Sequence, residues 1–200
     1  MTLRPTHLAL AALLAAAGAA ATASPIEFQF TGAGSGTIGS TAFTDASFTI
    51  TELTDTAAVA TAPHCACLYA DSASASIDIA GVGAFTFFTG TRTFINGATM
   101  GFSRAGADGT DLLDAFFGDP VVGYRLANLM RPVGGPGGLL TWADPDPDIF
   151  TTGGALFFDS GPTATTFTGF VPAAVPEPAG GVLMLAGLAM AAVASRRGAR

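Results

Sequence analysis

Five places in this 200-residue chain gather side chains that could do chemistry. The run His64-Cys65-Ala66-Cys67 sets three soft ligands within four residues. Such ligands suit Zn²⁺ or Cu⁺. Two cysteines one residue apart are equally open to a tight Cys65–Cys67 disulfide, or to free or intermolecular thiols. The second run, Asp144-Pro145-Asp146-Pro147-Asp148, alternates carboxylates on a stiff proline frame. Asp144, Asp146 and Asp148 are hard oxygen donors of the kind Ca²⁺ takes, although the loop lacks the glycine and terminal glutamate of an EF-hand. Its plainer reading is a solvated acidic turn. Third, Asp108, Asp111, Asp114 and Asp119 surround an expected short helix from Asp111 to Phe117, with Asp111 as its cap. On a helix Asp111 and Asp114 would share a face. Paired carboxylates of this kind run glycoside hydrolysis when one is held protonated, but in an acidic chain they are more often surface charge.

Nucleophilic catalysis is the fourth possibility, and it finds little support. Outside the first few residues His64 is the only histidine, and no Gly-x-Ser-x-Gly elbow frames a serine. Cys65 and Cys67 are too close to His64 in sequence to form the usual spatially assembled pair. The Gly-rich stretch Gly32 to Gly39 is followed by neither a lysine nor a helix, so it is not a phosphate loop. These readings point to a protein that is not an enzyme and that needs no cofactor, with calcium as the one candidate.

The fifth place is the C-terminus, where the chemistry is that of a sorting address. Val175-Pro176-Glu177-Pro178 is a stiff, extended spacer. The uncharged run Ala179 to Ser195 follows, and as a helix it would reach roughly 25 Å, the short end of a bilayer crossing. Arg196, Arg197 and Arg200 close the chain and would stop translocation, leaving everything before Ala179 outside the inner membrane. The N-terminus agrees. Arg4 precedes an apolar run from Leu8 to Ala21, and Ala21-Thr22-Ala23 satisfies the small-x-small rule. Cleavage between Ala23 and Ser24 is therefore expected. An uncleaved anchor at either end is the alternative.

Residues 175–200 resemble the PEP-CTERM sorting signal of Gram-negative bacteria: the Pro176-Glu177-Pro178 tripeptide, the hydrophobic helix and the arginine cluster occur in that order. The resemblance implies an exosortase as partner, which would cut near the motif and release or transfer the protein toward the cell surface or extracellular polysaccharide. Phe28 to Thr56 is similar to the N-terminal half of many PEP-CTERM proteins, which share a Phe-x-Phe strand, a Gly-Ser-Gly turn and an Ala-Phe-Thr-Asp step. That likeness implies a shared β-domain and carries no activity with it.

These segments divide the chain into a signal peptide (1–23), an extracytoplasmic domain (24–174) and a sorting signal (motif 175–178, membrane helix 179–195, basic end 196–200). The middle segment is long enough to bury a core. It sets four arginines against fourteen acidic residues, a formal charge of −10, and contains no lysine. Such a surface disfavours nucleic acid and anionic lipid.

Within the domain the elements that must position any site are strands. Ile26, Phe28 and Phe30 alternate with Glu27 and Gln29. In Ala46 to Leu53, Phe48 and Ile50 fall on one face and Thr49 and Thr51 on the other. Ser74 to Ile79 repeats the pattern, and Ala84 to Thr93 is aromatic and Thr-rich. Thr99 to Ser103, Gly123 to Leu126, Leu139 to Trp142, Ala155 to Phe158 and Thr165 to Phe170 are further candidates. Gly32 to Gly39 reads as a turn or bulged connection. The expected fold is an all-β, antiparallel sandwich or jelly-roll-like domain flanked by a signal helix and a transmembrane helix.

The functional expectation is an exported, sorted surface or matrix protein of structural or interaction type, associated with exopolysaccharide or other envelope proteins. A calcium-dependent carbohydrate-binding module, using Asp144 to Asp148 beside Trp142, is the alternative. A third reading, ice binding, needs flat, regular threonine rows, and Thr163, Thr165, Thr166 and Thr168 are too irregular to supply them.

Overall fold

A computed structural model describes residues 24–63, 65, 67–106, 111–139, 149–162 and 164–172. The expected signal peptide, sorting motif and membrane helix lie outside these residues. So do Asp144, Asp146, Asp148 and Trp142.

The described residues are all-β and antiparallel, with two single 3-10 turns (Thr56–Ala58 and Asp119–Val121) and no α-helix. One sheet is built around β1 (Pro25–Ile38) and β2 (Thr41–Asp55). It continues through β5 (Ser74–Ile79) and β6 (Gly83–Thr86) on one side. On the other side, β14 (Thr165–Phe170) pairs with the first half of β1, and β13 (Gly154–Ser160) with its second half. β10 (Met130–Gly135) flanks β14, and β12 (Ile149–Thr151) flanks β13. The second sheet has six strands: β3 (Val59–Thr61), β4 (Leu68–Asp71), β7 (Thr91–Asn96), β8 (Thr99–Arg104), β9 (Asp111–Phe116) and β11 (Gly137–Leu139). Their spatial order is β11-β9-β8-β7-β4-β3.

Both sheets feed one apolar cluster. Ile26, Phe28, Phe30, Ile50 and Ile77 come from the first, and Ile95, Met100, Phe102 and Leu113 from the second. The alternation read from the sequence is the cause, because a period of two sends every second side chain to the same face. The expected aromatic strand from Ala84 to Thr93 is two strands in two sheets. Its middle, with Phe87 buried, is where the chain crosses from β6 to β7.

Three expectations are corrected. Asp111 to Phe117 is not a helix: Asp111–Phe116 is β9, hydrogen-bonded to β8 on one side and β11 on the other. Pairing along both edges outweighs a weak local helix preference. Gly123 to Leu126 is not a strand. It follows a 3-10 turn, takes positive φ at Gly123 (+80°) and Leu126 (+58°), and belongs to no strand. Gly32 to Gly39 is not a connection, because all but Gly39 belongs to β1.

Its glycines are needed for close packing. Phe48 and Phe158 stack edge-on at 5.4 Å, and a Cβ on Gly34 would sit 3.1 Å from the Phe158 ring. The expected bulge is real and falls largely on the partner strand. The β1–β2 register slips between Gly34 and Gly36, and Asp45 takes φ +45° while its backbone N–H donates to Ser35 Oγ at 3.0 Å. A Cβ on Gly36 would collide with the Phe157 carbonyl oxygen and lie 2.9 Å from Phe158 Cα, both backbone atoms that cannot swing aside. Gly36→Ala should therefore cost about 1–3 kcal/mol, as overpacking does, measured as a lower urea midpoint. Gly81→Ala meets no neighbouring atom but sits at φ +77°, so its loss comes from backbone strain alone.

Candidate functional site

The outer face of the six-stranded sheet carries the best-formed polar and aromatic arrangement among the described residues. Cross-strand partners share a face, so the register assembles rows. One row runs Asp71↔Arg92↔Ser103↔Asp111 across β4, β7, β8 and β9. The next runs Tyr69↔Phe94↔Gly101↔Asp114. The first row is a set of hydrogen-bonding groups and the second is mainly aromatic.

A bulge completes the face. Phe102 pairs with Leu113, but Ser103 pairs with Asp111, so Leu112 is the extra residue. Without it Asp111 and Asp114, three apart on a strand, would point to opposite sides. With it they share the outer face, as the helical spacing also expected, by different geometry. Burial raises the Asp111 carboxyl above its ordinary value, and the nearby charge of Asp114 adds to this. Burial likewise raises Asp114, whose Oδ1 is buried and finds no hydrogen-bond partner among the described residues.

Arg92 is held from two sides. Its guanidinium lies 4.3 Å from the centre of the Tyr69 ring, and its Nε is 3.0 Å from Asp71 Oδ1. That distance makes an ion pair, but the angle is not that of a hydrogen bond, so Nε has charge compensation without an aligned acceptor. Gly101 makes room for Phe94: a Cβ there would sit 2.5 Å from Phe94 Cζ. The tip of the ring therefore occupies the space above the glycine. Tyr69, Arg92, Phe94, Ser103 and Asp111 line a groove of about 250 Å³, together with Cys65 and Cys67.

The two cysteines form a disulfide, with Cα atoms 5.2 Å apart. Of the other expected site residues, Asp119 sits in the second 3-10 turn, away from the rows, and His64 and Asp108 lie outside the described residues. Ser24 directly precedes β1. Ala23, Val175 to Pro178, Arg196, Arg197 and Arg200 lie outside the described residues, as the calcium-type aspartates do. Among the described residues no three His, Cys, Asp or Glu side chains gather as a metal site.

Sequence reasoning missed Glu52, which is 0% exposed. It lies on β2, on the inner face, and its carboxylate is grasped from the opposite sheet. Ser72 Oγ donates to its Oε1 and Thr93 Oγ1 to its Oε2, while Thr91 Oγ1 donates to Ser72 Oγ at 3.1 Å. Ser72 belongs to the crossing between β4 and β5, and Thr91 opens β7 just after the other crossing. Desolvation pushes the Glu52 carboxyl up to about 7. The charge of Asp71 adds to this, and the hydroxyl donors oppose it. The signal was present in the sequence: Glu52 has the parity of Phe48 and Ile50. Sealed from solvent, it ties the sheets together beneath the groove and cannot reach a substrate.

No family model, no curated protein and no solved structure matches this chain.

Proposed function

We propose that the chain is an exported, exosortase-sorted surface or extracellular-matrix protein of structural or interaction type, associated with exopolysaccharide, its domain a two-sheet β-sandwich. One observation carries this reading: the first and last described strands, β1 and β14, pair side by side. β1 begins at Pro25, one residue after the expected mature start, and β14 ends at Phe170, just before the Val175 motif. Glu27 pairs with Phe170, so both ends of the domain leave from neighbouring positions on one sheet. Cutting at both expected sites removes none of the described strands. Before cutting, it can hang from a single patch of membrane.

The low content of basic residues and the −10 charge of residues 24–174 suit an exported surface that does not hold nucleic acid. The Cys65–Cys67 pairing suits an oxidising compartment. In this reading the chain crosses the inner membrane, is held there briefly with the domain on the periplasmic side, and then passes to the cell surface or medium.

Intact-mass analysis of the protein recovered from cells and from medium tests the proposal. The expected species runs from Ser24 to near Pro176. A full-length chain that stays in the inner membrane, in a cell with an active exosortase, would refute it.

A further inference from the structure

The geometry points to the groove on the outer face of the six-stranded sheet as a binding site for one ring of a neutral, hydroxyl-rich saccharide chain. This rests on the interaction reading above only for the kind of partner; the groove itself does not depend on export. Sugar rings present an apolar face of C–H groups and an edge of hydroxyls. The groove presents the complement. The Phe94 ring reaches over Gly101, and beside it the Arg92 guanidinium stacks on Tyr69. Along the adjacent row, Arg92 offers fixed donors, Asp111 an acceptor, and Ser103 both. Asn96, two residues beyond Phe94 and exposed, adds an amide on the other side of the aromatic row. Polar side chains held at fixed positions beside aromatic rings are what small-ligand sites supply.

Size and charge decide the class. A volume of about 250 Å³ falls just under the ~300 Å³ where sites for drug-sized ligands begin, so the groove holds one ring while the chain continues outside. The charges in the two rows are one guanidinium against Asp71, Asp111 and Asp114, within an already acidic domain. A uronate or sulfated glycan would be repelled. A basic peptide would be drawn by charge, but it would leave the aromatic row and the already compensated Arg92 unused.

Ligand-observed saturation-transfer NMR on the full chain in mild detergent tests this. The probes are neutral gluco-, manno- and galacto-oligosaccharides, uronate oligosaccharides and oligolysine. At least one neutral oligosaccharide should bind, with Kd on the order of millimolar or tighter. Both Phe94→Ala and Asn96→Ala should weaken it at least fivefold. Asn96 is exposed at a strand end, so Asn96→Ala should keep the parent urea midpoint and remains informative if Phe94→Ala unfolds. The proposal is overturned if no neutral oligosaccharide binds, if uronate or oligolysine binds more tightly, or if neither folded variant weakens binding. None of these results alters the intact-mass outcome, so failure here and failure of the sorting reading can be told apart.

Discussion

Truncating Phe167 to alanine is expected to cost about 3–5 kcal/mol, the range for deleting a buried aromatic ring. Phe167 is 0% exposed and sits on β14, between β1 and β10. Its ring centre lies 5.7 Å from that of Phe28, 5.0 Å from Phe30, 6.2 Å from Phe117 and 6.1 Å from Tyr124. Tilted and edge-on ring pairs add to the area they bury. Phe117 and Tyr124 come from the irregular segment between β9 and β10, so one ring ties the first sheet to a stretch that has no ladder of its own. The hole left by alanine is bordered by these four rings, two of them on the paired strand β1. Urea unfolding of Phe167→Ala and of Thr168→Ala should separate the two classes of position on this strand. The half-buried Thr168 should change stability by less than about 1 kcal/mol. Equal losses for both would show that Phe167 is not the hub described.

That contrast also marks which parts of the fold were legible. Where a strand alternates strictly, as in Ile26 to Phe30, Ser74 to Ile79 and Thr165 to Phe170, the side chains declare their faces and the structure follows. Two of the misreadings depend on partners that are distant in sequence. Gly32, Gly34 and Gly36 look like turn residues until Phe48 and Phe158 are placed over them. Asp111 to Phe116 looks helical until β8 and β11 occupy its edges. Leu126 has an ordinary strand composition, and only the turn before it forces its positive φ. Local pattern carries the period, whereas the pairing context decides between candidates of similar period.

The groove was less legible for the same reason. Thr91 to Asn96 alternates Arg92 and Phe94 against Thr93 and Ile95, which predicts an outer face but not what stands beside it. Tyr69 and Asp111 reach that face only through the order β9-β8-β7-β4, and Asp111 needs the Leu112 bulge as well. Of the four aspartates picked out by spacing, Asp111 and Asp114 share this face, on a strand where a helix was expected, while Asp119 sits in a turn. Glu52 differs, because its parity with Phe48 and Ile50 already placed it inward.

Glu52 carries the other large effect, and it appears as pH dependence. An unfolded glutamate titrates near 4.5, and in the folded chain burial holds the carboxyl at about 7. The folded state therefore binds the proton more tightly. Stability is greatest below pH 4.5, falls as the pH rises from 4.5 to 7, and levels off above 7. At 1.36 kcal/mol per unit, the loss across that window is about 3 kcal/mol. Burial raises Glu27, Asp111 and Asp114 in the same direction, so the wild-type slope alone does not isolate Glu52. The Glu52→Gln variant does: it keeps a polar group for Ser72 and Thr93 but cannot ionise. Its urea midpoint should change much less than that of the wild type between pH 5 and pH 8. Thr93→Val, which removes one donor to the carboxylate, should enlarge the total decline and carry it to higher pH, because the ionised form then loses a hydrogen bond inside the core. Parallel pH profiles for wild type and Glu52→Gln would mean that the carboxyl is not the titrating group. The chemistry favours the steep outcome, since an acid sealed between two sheets is tolerated neutral and penalised once charged.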